Sequence, residues 1–106
     1  MSIIKNIGNN LKKSKEISKD SIILRDFSID DTDLDGEKVM MNLNKGEYFM
    51  MNEVGGKIWD IINKSISVKE IINIILEEFE VERDVCENEV IEFLESLRRA
   101  ELISVS

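Results

Sequence analysis

The sequence predicts an α+β fold in which three antiparallel strands precede three helices. Three observations predict it. Two short apolar runs flank Asn44-Lys45-Gly46, a three-residue turn with Gly where a left-handed residue is needed. Apolar residues then switch from a period of two to a period near 3.6 at Asn52. From there to Glu101 the pattern stays helical, and Pro is absent throughout.

Each element has its own signal. Residues 1–20 hold Ile3, Ile4, Ile7 and Leu11 near helical spacing, interrupted by Gly8 and Asn9-Asn10 and followed by lysines. They are read as a flexible basic tail, or as a short amphipathic helix that docks on a partner. Ser21 to Ile29 is rich in β-branched and aromatic residues and reads as strand one. Asp30 to Gly36 reads as an acidic loop closed by an Asp35-Gly36 turn. Its carboxylates lack the spacing and closing Glu of a calcium loop. Glu37 to Leu43 is strand two, and Glu47 to Met51 is strand three.

If Leu43 pairs with Glu47, Met41 faces Phe49 and Met40 faces Met50. Phe49, Met51 and Met41 then belong to the core, with Met40, Tyr48 and Met50 on the other face. Helix one is expected from Asn52, its N-cap, to Lys64. Helix two opens on a capping box at Ser67-Val68-Lys69-Glu70 and ends near Glu80. Helix three runs from Arg83 to Glu101, with Cys86, Val90, Phe93, Leu94 and Leu97 on one face. Leu102 to Val105 reads as a strand remnant.

Composition narrows the function. The formal charge is −8. Residues 1–20 carry five lysines against two carboxylates, a net +3, which leaves −11 on the remainder. Such a body repels phosphate backbones and suits a basic or neutral partner. The same acidity also serves solubility. There is no His and a single cysteine, Cys86, so neither a disulfide within the chain nor a zinc site is expected. No run of about 18 apolar residues and no signal-peptide core is present, so a cytoplasmic protein without membrane attachment is expected. A catalytic constellation is also missing: Cys86 lies on an apolar helix face, and the carboxylates sit in loops and on helix exteriors.

Several stretches carry a resemblance. They are Asp35-Gly36-Glu37 before an apolar strand, Leu43-Asn44-Lys45-Gly46-Glu47-Tyr48-Phe49, and Met51-Asn52-Glu53-Val54-Gly55 with Ile58-Trp59. Phe79, Val90, Phe93-Leu94, Leu97 and Leu102-Ile103 complete them. Over residues 21–105 the chain resembles the pyrroloquinoline-quinone biosynthesis protein D family. More broadly, it resembles the recognition elements of ribosomally made, post-translationally modified peptide pathways, including the stand-alone lasso-peptide type. Two departures are visible: Met51 stands where the family usually has Leu, and Ala100-Glu101-Leu102 lacks a Gly, which would lengthen helix three.

The resemblance implies a winged helix-turn-helix-like domain over residues 21–106 that is not a catalyst. It implies binding of a precursor's leader peptide as an added strand, and its delivery to a modifying enzyme. That enzyme would be a radical SAM maturase, or a protease and cyclase. No cofactor, metal or nucleic acid is implied. Strand addition needs a free sheet edge with its donors intact, and strand three has no Pro. The residues expected to hold the peptide are Glu47, Tyr48, Phe49, Met50 and Met51 on the strand, with Val90, Phe93 and Leu97 from helix three. The same edge is open to a second copy of the chain, which would compete with the peptide. The alternative from the helix pattern is a winged-helix DNA-binding regulator, which the scarcity of Lys and Arg on helices two and three disfavours.

Overall fold

A computed structural model describes residues 16–106. Its strands and helices in chain order are β1 (Ile22–Arg25), β2 (Asp30–Leu34), β3 (Glu37–Asn42), β4 (Glu47–Met51), α1 (Glu53–Ile61), β5 (Ile66–Ser67), α2 (Val68–Glu78), α3 (Arg83–Arg99) and β6 (Ile103–Val105). The expected class holds: an α+β chain with a three-stranded antiparallel sheet ahead of three helices. That sheet has the order β2-β3-β4. A second small sheet, β5-β1-β6, ties the start of the body to its end.

The composition of the first sheet corrects the expectation. Strand one is not part of it. The ladder of β1 stops at Arg25, and β1 pairs with β6 and β5. Its expected second half is a turn: the Asp26 carboxylate accepts from the Ser28 N–H at 2.8 Å and the Ser28 hydroxyl at 2.7 Å. These bonds hold the Asp26 carboxyl below its ordinary value. The alternation of Phe27 and Ile29 therefore reflects a turn that exposes one and buries the other.

The acidic stretch Asp30–Leu34, expected as a loop, supplies the missing strand. Asp35 (φ 53°) and Gly36 (φ 85°) both lie in the left-handed region, as a two-residue hairpin turn requires. Such a turn forces the residues on either side to pair, beginning with Leu34 and Glu37. The register of the next hairpin is one residue from the expected one. Asn42, not Leu43, pairs with Glu47, so Met40 faces Phe49 and Met41 faces Tyr48. The loop has four residues, closed by the Asn42 side chain accepting from the Lys45 N–H. A slip of one residue exchanges faces. Met40 is accordingly fully buried and Met41 only half-buried on the outer face. On β4 the expected faces stand: Phe49 and Met51 point inward, Tyr48 and Met50 outward.

The helices form where their caps put them. Ser67 caps α2 by accepting from the Glu70 N–H at 3.2 Å. Glu70 returns to the Ser67 hydroxyl rather than to its N–H. Trp59, Ile58, Ile62, Ile71, Ile72, Leu94 and Leu102 are at most 1 % exposed and form the centre of the core. Trp59 is also polar-anchored. Its indole N–H donates to Asp31 on β2 at 2.9 Å, and Arg25 of β1 stacks 5.4 Å from its ring.

Helix α3 is not lengthened by the missing Gly. Glu101 itself adopts φ 62°. Its N–H bonds to the Arg98 carbonyl and that of Leu102 to the Leu97 carbonyl, closing the helix in a Schellman motif.

Residues 1–15 of the expected basic tail lie outside the described residues. Residues 16–20 pack on the body instead. Ile17 is buried and its N–H donates to Glu95, while Lys19 pairs with Glu87 at 3.2 Å.

Two outcomes are expected in urea melts. Asp31→Ala strands the buried indole N–H and costs about 1–2 kcal/mol. Glu101→Gly, which relieves the left-handed residue but loosens the unfolded chain, raises stability by about 0.5 kcal/mol, whereas β-branched Glu101→Val lowers it by about 1 kcal/mol.

Candidate functional site

The sheet order leaves β4 at one edge, with β3 on its inner side and no strand on its outer side among the described residues. Beside that open edge lies a cleft of about 500 Å³. One wall is the C-terminal end of β4, Met50 and Met51. The opposite wall is the stretch of α3 from Cys86 to Phe93, with Cys86, Val90 and Phe93. Val54, Gly55 and Ile58 of α1 and Ile75 of α2 close its base, and Phe79 and Val81 complete the rim.

The joint from β4 to α1 sets this geometry. Met51 ends the strand, Asn52 alone intervenes, and Glu53 begins the helix. The Asn52 side chain accepts from the Gly55 N–H at 2.8 Å, and its carbonyl accepts from Gly56 at 2.8 Å. Gly55 then meets α3. A Cβ there would stand 3.2 Å from Phe93 Cζ and 3.3 Å from Asn52 Oδ1. The absence of a side chain at Gly55 thus lets the Phe93 ring lie against the first turn of α1.

The eight residues expected at the site are distributed as follows. Glu47 and Tyr48 are exposed at the start of β4, away from the cleft wall, and Phe49 is half-buried on the inner face. Met50, 54 % exposed, and Met51 line the cleft. Val90 and Phe93 line it from α3. Leu97 is buried one turn further along α3 and is not on the cleft wall. The sequence reading missed the contributions of α1 and α2. Val54 and Ile58 recur at helical spacing in the sequence, and that period gives no sign that part of it faces a cleft.

The walls of the cleft are apolar, and its only charged lining residues among those described are Glu80 and Glu89. Burial pushes the Cys86 thiol up, so it stays protonated and behaves as a small apolar wall residue. A second, polar hollow lies behind Asn52, around Lys38, Asp60, Lys57 and Glu78. There Lys38 bridges Asp60 and Asp33 at 3.1 Å each. Burial works against its charge, but the two carboxylates outweigh it and hold its ammonium above the usual value. Among the described residues no helix is long and apolar enough to cross a membrane. Among them, too, no group of three potential ligands could hold a metal ion.

Comparison with known proteins agrees with the fold. Residues 37–103 match the family described as Coenzyme PQQ synthesis protein D (PqqD), so the chain belongs to that family. Two solved structures share the architecture. One, "TbiB1 in Complex with the TbiA(beta) Leader Peptide", is 28 % identical with a TM-score of 0.70, covering 76 % of this chain and 94 % of that one. The other, "Lasso peptide synthetase B1 complexed with the leader peptide", is 21 % identical with a TM-score of 0.69, covering 77 % and 96 %. No curated protein matches the chain.

Gly55→Val is expected to destabilise by about 1–3 kcal/mol through overpacking against Phe93 and the Asn52 cap. Chemical denaturation measures the loss. Amide shifts at Phe93 and Met51 report whether the ring has moved into the cleft.

Proposed function

We propose that this member of the coenzyme PQQ synthesis protein D family binds the leader segment of a ribosomally made precursor peptide and delivers it to a modifying enzyme. The observation that carries the reading is the open β4 edge beside an apolar cleft. An incoming extended peptide finds unpaired N–H and C=O groups along Glu47–Met51. Its side chains on one face then drop between Met51 and the Val90–Phe93 wall of α3. Leu97 backs that wall from the core. Main-chain bonds supply affinity, and the cleft supplies selection among sequences.

The solved relative at 28 % identity, described as a complex with a leader peptide, supports this reading. The lasso-peptide type of pathway is the setting that fits best, with a protease and cyclase acting on the delivered precursor. The chain itself acts as a binder rather than a catalyst. A buried, protonated Cys86 provides no nucleophile, and the other residues lining the cleft offer no hydroxyl, amine or imidazole. A DNA-binding role draws no support from α2, whose one cationic residue is Lys69.

Adjacent amides of an antiparallel strand point to opposite sides. Of Phe49 and Met50, one therefore donates toward β3 and the other toward the guest. Single proline substitutions at the two positions should part ways. One lowers stability through the lost ladder bond. The other spares the fold but weakens leader binding by about tenfold. Calorimetric titration with the leader of a precursor encoded beside this chain, paired with thermal melts, separates the two. Equal effects of both prolines on binding, or unchanged amide signals at residues 47–51 on titration, would rule the docking mode out.

A further inference from the structure

We infer that the peptide accepted by this cleft carries a lysine or arginine next to its apolar anchor residues, and that Glu80 and Glu89 select it. The inference rests on reading the cleft as a peptide site.

The charged residues lining the cleft are Glu80 and Glu89, with no Lys or Arg among the lining residues. Both are exposed. Glu80 stands in the connection from α2 to α3, and Glu89 on the second turn of α3. Nearby cations are committed elsewhere: Arg83 lies 3.8 Å from Glu87, and Lys57 lies 2.9 Å from Glu78. Among the described residues neither Glu80 nor Glu89 has an ion pair.

The apolar wall explains why a guest needs hydrophobic side chains, but two unpaired carboxylates at the rim oppose an acidic guest. The field of the whole body points the same way, because residues 21–106 carry a net −11. A cationic segment is drawn in from a distance and, once seated, meets rim carboxylates that its own long side chain can reach. Backbone pairing with β4 fixes the register, so the cation must sit at a defined offset from the residue that fills the Met51–Phe93 space. The site thereby discriminates by sign of charge as well as by apolar fit, which strand addition alone does not provide.

The test uses short random peptides displayed on phage and selected on the immobilised full chain at low salt. Binders that shift the amides of Met50 and Met51 are carried forward. They are expected to be enriched in Lys or Arg at one fixed distance from an apolar residue. Glu80→Gln with Glu89→Gln should weaken them about threefold to fivefold, as should replacing the peptide's cation by Gln. The two losses should not add, because they remove the same contact. Circular dichroism checks that the surface substitutions leave the fold intact. Binders that shift Met50 and Met51 yet lack a basic residue, or keep their affinity for the doubly substituted chain, overturn charge selection and leave strand addition standing. A selection in which no binder shifts those amides overturns both.

Discussion

The structure depends on a joint with almost no length. A strand that becomes a helix through one residue has no slack, so the direction of β4 dictates that of α1. Asn52 makes this possible because its side chain and its carbonyl each satisfy an N–H of the first turn, at Gly55 and Gly56. The same turn offers Gly55 to Phe93. Strand edge, helix start and the wall of α3 are therefore held in one rigid arrangement, and the cleft is the space this arrangement leaves. A longer connection would let α1 swing and the cleft width vary. A side chain at Gly55 would push α3 away.

A second constraint keeps the sheet from peeling off. The sheet β2-β3-β4 is small and, among the described residues, open on both sides, and its inner face reaches the core mainly through Met40, Met51 and the half-buried Phe49. Asp31 adds a directed link from β2 to the buried indole of Trp59. Arg25, 3.7 Å from Asp31, stacks on that ring from the other sheet. On α1, Gly56 lets Lys38 of β3 approach closely, and Lys38 reaches back to Asp60. These links are individually modest, since exposed ion pairs contribute little. Their value is positional: they fix the sheet's angle on α1, which the apolar contacts alone would leave loose.

What the sequence made legible follows from where local chemistry decides. The caps at Asn52 and Ser67, the left-handed Gly46 and the Asp35-Gly36 turn depend on a few neighbouring atoms, and each is where its residues place it. The strands beside those turns depend on distant partners. Asp30–Leu34 looks like a loop because no residue in it is buried, so no period can appear. Ser21 to Ile29 looks like one strand because a turn at Asp26–Ser28 mimics alternation. The hairpin register differs by one residue because Leu43 is apolar yet lies in the loop, 71 % exposed. The candidate site divides the same way. Its β4 and α3 contributors sat on readable faces, whereas Val54, Ile58 and Ile75 join it through the crossing of helices, which no local pattern encodes.

The two edges of the sheet differ in how they are protected. An open edge invites pairing with any extended chain, and proteins ordinarily blunt it with charge. The β2 edge is treated in that way: Asp30, Asp31 and Asp33 stand along it, and every residue of the strand is exposed. The β4 edge is not. Past Glu47 it presents Tyr48, 71 % exposed, and Met50, 54 % exposed, without a charge until Glu53. An aromatic and a flexible thioether on an unprotected edge are a hazard for a chain with nothing to bind, and an advantage for one that accepts varied guests. One sheet thus carries a defended edge and an undefended one, and the undefended edge is the one that opens onto the cleft. That asymmetry is not set by packing, because Tyr48 and Met50 on β4 and the residues of β2 all stand exposed, outside the core. It follows directly if β4 is completed by another chain.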